Sequence, residues 1–278
     1  MRHVTGDEAV YYYRKNGKTE GTIVLYVDDF LVTGSPTFFE DVISQIKNKF
    51  QFGKIENNCF RFCGIDIQVT PNGIFIEQDD YSKSMTKIPI KSSEDLERPL
   101  KKGEFKQLRK VIGQLIWLNE QTRPDLSFDT LSLSMHNKDA KVKHILEANK
   151  HIRKAKSTKS FVKFSYIGAF TDLKILAYTD ASHLTMEERT KGVSGKVIFL
   201  SNKEESVVSP LFWKSKTIPQ ACTSAKAAET RAAYSCSDDA IGLARAINEI
   251  LTGKRGEAQL EVTLKCDSKS FLFCFKNI

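Results

Sequence analysis

Apolar and polar positions along the chain change period more than once. Ala9 to Arg14 and Gly21 to Tyr26 are β-rich runs on either side of Asn16-Gly17, a two-residue hairpin signal. Gly34-Ser35-Pro36 breaks the pattern, and Phe39, Val42, Ile43, Ile46 and Phe50 then recur at helical spacing, which predicts an amphipathic helix over 37–50. Phe60 to Val69 reads as one strand, Pro71-Asn72-Gly73 as a turn, and Ile74 to Glu77 as its partner. Tyr81 to Lys102 is polar and irregular. From Glu104 to about Gln121 the apolar face Phe105, Leu108, Ile112, Leu115 predicts a helix. Arg123-Pro124-Asp125 interrupts it, and proline in a first turn opens the next helix, Asp125 to Met135. Val142, Ile145, Leu146, Asn149 and Ile152 mark a third, and Lys154 to Lys159 reads as a linker.

Beyond the linker the period becomes that of strands: Lys174 to Thr179, Gly195 to Leu200 and Val207 to Lys214. Ser224 to Leu251 predicts one long helix with Gly253 as its stop, Leu260 to Cys266 a fourth strand, and Ser268 onward another helix. The order β-β-β-α-β-α implies an α+β, mixed-sheet unit. With about 100–200 residues per domain, 278 residues predict two domains, and the elements group into the stretches 1–80, 81–160 and 170–278.

Charge adds a partner class. Lys and Arg outnumber Asp and Glu by 42 to 34, a balance that favours polyanions such as nucleic acid but also fits a basic protein with no special partner. The third helix is flanked and covered by Lys138, Lys141, Lys143, Lys150, Arg153, Lys154 and Lys156, either a solvated face or a phosphate-facing stripe. None of the 6 cysteines forms a CxxC pair, which argues against a zinc site, and the absence of a visible signal peptide makes reduced thiols in the cytosol or nucleus the expectation. No apolar run approaches the roughly 18–20 residues that span a bilayer, so no membrane partner is expected. The five histidines show no metal-ligand spacing and read as isolated residues; Trp117 and Trp213, within apolar runs, read as core.

Two acidic constellations stand out. In the first, Ile23 to Val27 leads into Asp28-Asp29 before the apolar Phe30-Leu31-Val32. Adjacent carboxylates between two strands form a polar turn or present hard oxygen ligands to Mg²⁺ at a hairpin tip. In the second, Asp180 ends an apolar strand, Glu229 lies in the first turns of the long helix, and Asp267 ends the fourth strand. Singly, each is explained as a loop, surface or capping residue. Together, strand acid, helix acid and strand acid can cage divalent ions.

GTIVLYVDDFLVTGS, Gly21 to Ser35, resembles the YVDD palm segment of copia-type retrotransposon reverse transcriptases. FRFCGIDI, Phe60 to Ile67, is similar to the FLGIEI strand of that family's primer grip, and RKVIGQLIWLNEQTRPDLSF to its YRSLVGSLLYL…TRPDI helix. The C-terminal half resembles the family's ribonuclease H: TDAS at Thr179, WKSKTIPQACTSAKAAETRAAY from Trp213 and KCDSKS at Lys265 stand where the family has SDADW, WSSKKQ, SSTEAEY and CDN. Ala227 stands where the family often has another Glu.

The resemblance implies a partial palm hairpin, a thumb- or connection-like helical region, and a ribonuclease H-like mixed sheet with helices. It implies catalytic and metal-binding roles for Asp28, Asp29, Asp180, Glu229 and Asp267, with Mg²⁺ or Mn²⁺ as cofactor. It implies nucleic-acid contacts at Tyr26, Phe62 and Gly64, to which the basic helix adds Lys143, Lys150 and Arg153. The implied partners are an RNA–DNA hybrid or primer–template, the rest of a Pol protein, and a dNTP only if the remaining palm is supplied. The implied location is the cytoplasm, including a virus-like particle, or the nucleus. Only 27 residues precede Asp28, without a further palm acid among them, so the chain alone is expected not to polymerise DNA. It stops at Ile278, before the family's last ribonuclease H acid, so feeble or absent nuclease activity is expected. A non-catalytic nucleic-acid-binding fragment and a decayed reading frame are the competing expectations.

Overall fold

The structure is a computed structural model that describes residues 1–91, 93–168, 170–183, 192–256 and 260–267. The helix expected from Ser268 onward lies outside the described residues. Within them, the chain is a mixed α and β protein with antiparallel sheets and helices.

β1 (Arg2–Val4), β2 (Asp7–Lys15), β3 (Lys18–Tyr26) and β4 (Asp29–Gly34) form an antiparallel meander in that spatial order. The β2–β3 turn is the expected one, with Asn16 at φ 51° and Gly17 at φ 78°, the pair of positive angles a two-residue hairpin demands. α1 (Pro36–Phe38), a π-helical turn (Phe39–Ile43) and α2 (Ser44–Lys49) follow as one continuous helical run. Ser35 caps it, its Oγ accepting the Phe38 N–H at 3.2 Å. Phe38 is fully buried on the paired glycines Gly21 and Gly34, where an added Cβ would stand 2.3 Å from its ring.

The second sheet contains β5 (Cys59–Phe62), β6 (Ile65–Thr70), β7 (Gly73–Glu77) and β8 (Val162–Phe164). The single strand expected over 60–69 is in fact a hairpin. Cys63 (φ 51°) and Gly64 (φ 73°) turn the chain, and Phe62 pairs with Ile65. Between β7 and β8 the chain forms α3 (Asp79–Ser84), α4 (Lys102–Gln121), α5 (Ser127–Ser134) and α6 (Val142–Ser157). α6 continues through most of the segment read as a linker, because Ile152 and Ala155 still face the core. Leu108, Leu115, Leu126, Leu133, Ile145 and Ile152 are fully buried in that core. Arg123, nearly fully buried, is bidentate to Asp125 at 2.8 and 2.9 Å and donates to the Ala155 and Thr158 carbonyls, tying the start of α5 to the end of α6.

The third sheet has the order β11-β10-β9-β12, from β9 (Leu173–Ser182), β10 (Val193–Asn202), β11 (Val208–Thr217) and β12 (Glu261–Lys265). α7 (Ala225–Thr252) packs on it. Ala228, Ala232, Cys236, Ala240 and Ala244 recur every fourth residue and are buried, so small side chains let the helix lie close to Ile175, Ala177 and Ile198. Gly253 ends α7 at φ 76°, as expected for a left-handed C-terminal residue.

The first sheet meets the far end of α7. Glu249, 2% exposed, accepts the Thr5 N–H at 3.0 Å and the Tyr12 hydroxyl at 3.3 Å. Arg14 and Thr19 donate to the last α7 carbonyls, those of Leu251 and Ile250. The helical region meets the third sheet through β11, where the Trp213 indole N–H donates to the Asn119 carbonyl at 2.7 Å and Lys214 pairs with Glu120 at 3.3 Å. No helix among the described residues is long and apolar enough to cross a membrane.

Candidate functional site

Strand direction decides where the C-terminal acids go. β9 and β11 both run antiparallel to β10, and β12 runs parallel to β9. The chain therefore leaves β9, β11 and β12 at the same edge of the sheet, and α7, which follows β11, begins there. Asp180 near the end of β9, Glu229 in the early turns of α7 and Asp267 just past β12 are brought to that edge. One carboxylate oxygen from each lies within 4.8 Å of the others. Asp180 and Asp267 are exposed, whereas Glu229 is 8% exposed.

Glu229 is held by two donors, the Cys266 thiol at 3.6 Å and the Ala181 backbone N–H. Burial, then the charges of Asp180 and Asp267, push its carboxyl above the usual range, and the two donors only partly offset this. The crowding is felt at Glu229, the buried member of the three. A cleft of about 530 Å³ adjoins the site, lined by Asp180, Asp267, Tyr178 and Trp213 with Pro124 and Ser127 of the helical region. Lys265 stands 5.6 Å over the Tyr178 ring and pairs with Glu205. His183 turns to the Cys222 carbonyl, 2.8 Å from its Nε2.

Asp28 and Asp29 occupy the tip of the β3–β4 hairpin, both exposed. The residue before them, Val27, is 78% exposed and held at φ 52°, an angle a β-branched side chain rarely adopts. Neither acid joins a group of three potential ligands among the described residues. Tyr26 meets Phe62 edge to face at 6.3 Å, and Gly64 sits in the tight turn that follows Phe62. Lys143, Lys150 and Arg153 are exposed on α6. Lys143 is already paired at 2.9 Å with Glu97, whose carboxyl is depressed to about 2 by Lys141 and Lys143.

Sequence reasoning placed Trp117 in the core; it is 39% exposed. It ends a stripe on α4 with Lys106, Lys110 and Gly113, all exposed at helical spacing, and an added Cβ at Gly113 would meet nothing within 4 Å. The i, i+4, i+7, i+11 spacing was the available cue. Trp213 is partly buried, with its indole committed to Asn119.

No protein-family model matches the chain. Over 225 residues, 74% of this chain and 69% of the relative, it is 25% identical to a putative transposon Ty5-1 protein of Saccharomyces cerevisiae. It is 23% identical over 239 residues to a retrovirus-related Pol polyprotein from transposon RE1 of Arabidopsis thaliana, covering 81% of this chain but only 16% of that polyprotein. It is 24% identical over 224 residues to an uncharacterized mitochondrial protein of Arabidopsis thaliana, covering 76% of this chain and 89% of the relative. These similarities support derivation from a retrotransposon Pol protein.

Proposed function

We propose that the chain is a Pol fragment of copia type in which the 170–278 unit is a ribonuclease H-like nuclease for RNA–DNA hybrids, and the 1–80 unit is the remainder of a reverse-transcriptase palm. The observation that carries the nuclease reading is the convergence of Asp180, Glu229 and Asp267 at one sheet edge. Their order along the chain matches the ribonuclease H-like segments that the sequence resembles. All three supply hard oxygen ligands, and the upward push on Glu229 is the strain a divalent cation would relieve. These residues therefore fit Mg²⁺ or Mn²⁺, held by Asp180, Glu229 and Asp267. Such ions, when bound, supply an activated water and charge stabilisation for phosphodiester hydrolysis. The protein's own part is to hold Glu229 in place through Cys266 and Ala181 and to leave the edge open for a strand. Asp28 and Asp29 are assigned to the polymerase remainder on resemblance alone, with a dNTP as partner only if further palm residues join them.

A second reading, nucleic-acid binding without catalysis, draws on the α4 stripe from Lys106 to Trp117 and the exposed Lys150 and Arg153 of α6, a pattern of cations and an aromatic suited to a sugar–phosphate backbone. Mn²⁺ titration by electron paramagnetic resonance, alongside hybrid cleavage, separates the two. The nuclease reading predicts Mn²⁺ binding and a weak metal-dependent cleavage, both lost in Asp180→Asn. Hybrid affinity that ignores metal, with equal Mn²⁺ uptake by wild type and Asp180→Asn, would overturn it in favour of the second.

A further inference from the structure

Buried polar atoms without a hydrogen-bond partner gather in one corner of the molecule. Among the described residues they are Thr130 Oγ1, His136 Nδ1, Asn137 Oδ1 and His151 Nε2, all on α5, the turn after it, or α6. At the centre of this corner two imidazoles stack. The rings of His136 and His144 lie 4.1 Å apart at 15°. His144 is 4% exposed, and its Nδ1 accepts the Lys141 backbone N–H at 3.0 Å. That bond closes the N-terminal cap of α6 from the third helical position, the place usually filled by Glu or Gln. An imidazole that accepts at Nδ1 is neutral, with its hydrogen on Nε2.

Protonating His144 in place would set an N–H against the Lys141 N–H. The new charge would lie in the first turn of α6, at the positive end of the helix dipole, and against a second imidazole. The groups around the pair do little to offset this. Asp139 stands 3.8 Å from His136 Nδ1. Glu147, one turn along, lies 3.6 Å from His151, and Asp129 is shared between His151 and Lys154. From the packed 94–104 segment, Glu97 pairs with Lys141 and Lys143, and Arg98 with Glu94 and Glu104. The charges of Glu147 and Asp139 favour the protonated form of His144, but burial and the charge of His136 outweigh them.

The same helix start is joined to the preceding segment by three backbone bonds: Leu100 N–H to Ala140 O at 3.1 Å, Val142 N–H to Arg98 O at 3.1 Å and Lys143 N–H to Leu96 O at 3.0 Å. We infer that the His136–His144 stack is an acid-operated latch: the neutral pair closes the start of α6 onto residues 96–100, and protonation of His144 releases both. Burial, followed by the charge of His136, holds His144 below the ordinary histidine value. With the folded value below the unfolded one, the latch is fully closed above about pH 6.5 and weakens as the pH falls below that. The inference is independent of any role for the acid cluster. It concerns the helix that presents Lys150 and Arg153.

Hydrogen exchange on the full chain at pH 7.5 and 5.5 tests it, with intrinsic rates corrected. Amides of residues 96–100 and 141–145 should lose protection about tenfold in acid, while the third sheet keeps its own. In His144→Gln, which retains an acceptor that cannot titrate, the selective loss should vanish. No loss in the wild type, or the same loss in His144→Gln, overturns the latch. Should the variant fail to fold, the wild-type histidine ¹⁵N spectrum decides. His144 bearing its hydrogen on Nε2 and titrating below the ordinary range supports the latch; ordinary titration overturns it.

Discussion

At the scale of single residues, the crowding of Glu229 by Asp180 and Asp267 works against the folded state. The folded state raises the carboxyl of Glu229, so the ionised group subtracts stability at neutral pH. That subtraction fades as the pH falls through the raised value towards the unfolded carboxylate value near 4.3. Glu229→Gln should therefore raise the Tm of the metal-free protein at pH 7 by on the order of 2–4 °C, and the gain should disappear near pH 4. Added Mn²⁺ should reverse the ranking by stabilising only the wild type. Thermal melts with and without Mn²⁺ check this, and identical Tm values at pH 7 would count against the crowding of these carboxylates. The three acids were legible in the sequence because each sits at the start or end of a strongly patterned element. Trp117 was misread because its apolar neighbours Ile116 and Leu118 hide the stripe it belongs to; the exposure of an aromatic in such a run depends on what packs beside it.

Elements were legible where local chemistry and packing agree. The β2–β3 turn carries Asn-Gly, and α7 carries small residues every fourth position and a terminal glycine; both appear as patterned. The β5–β6 hairpin was not legible, because its turn puts Cys63, not a turn residue, at positive φ, and only Gly64 marks the place. The pairing of Gly21 with Gly34 was also invisible, since its reason is a residue on a different element. With the Phe38 ring 2.3 Å from where a Cβ would stand, Gly21→Ala must displace the α1–α2 run from the sheet. The expected cost is about 1–3 kcal/mol, read as a lower urea midpoint with an unchanged slope. A variant as stable as the wild type would show that α1 is not seated on those glycines.

Across the whole molecule, residues far apart in sequence share buried charge. Burial pushes the Glu249 carboxyl up, but Thr5 and Arg255 outweigh this and hold it below the usual range. Its contribution to stability is thus present above the ordinary carboxylate value and lost as the pH falls through the depressed one. Glu249→Ala should cost about 2–3 kcal/mol at pH 7, chiefly by leaving Tyr12 and the Thr5 amide without their acceptor, and the gap to wild type should narrow in acid. Urea melts across pH measure it; a pH-independent gap would refute the charge-based account. The sequence pattern carried none of this, because a lone glutamate near a helix end is the most ordinary of residues.

The bond between the Trp213 indole and the Asn119 carbonyl joins the last turn of α4 to the outer strand of the acid-bearing sheet. Trp117, within one helical turn of Asn119, and Asp180, on the same sheet as Trp213, thus lie on joined elements. Were the α4 stripe and the acid cluster to engage the same duplex, a duplex gripped at the first and cut at the second would be measured off by the protein itself. The offset between hold and incision would be a fixed number of nucleotides, the same for every sequence that passes.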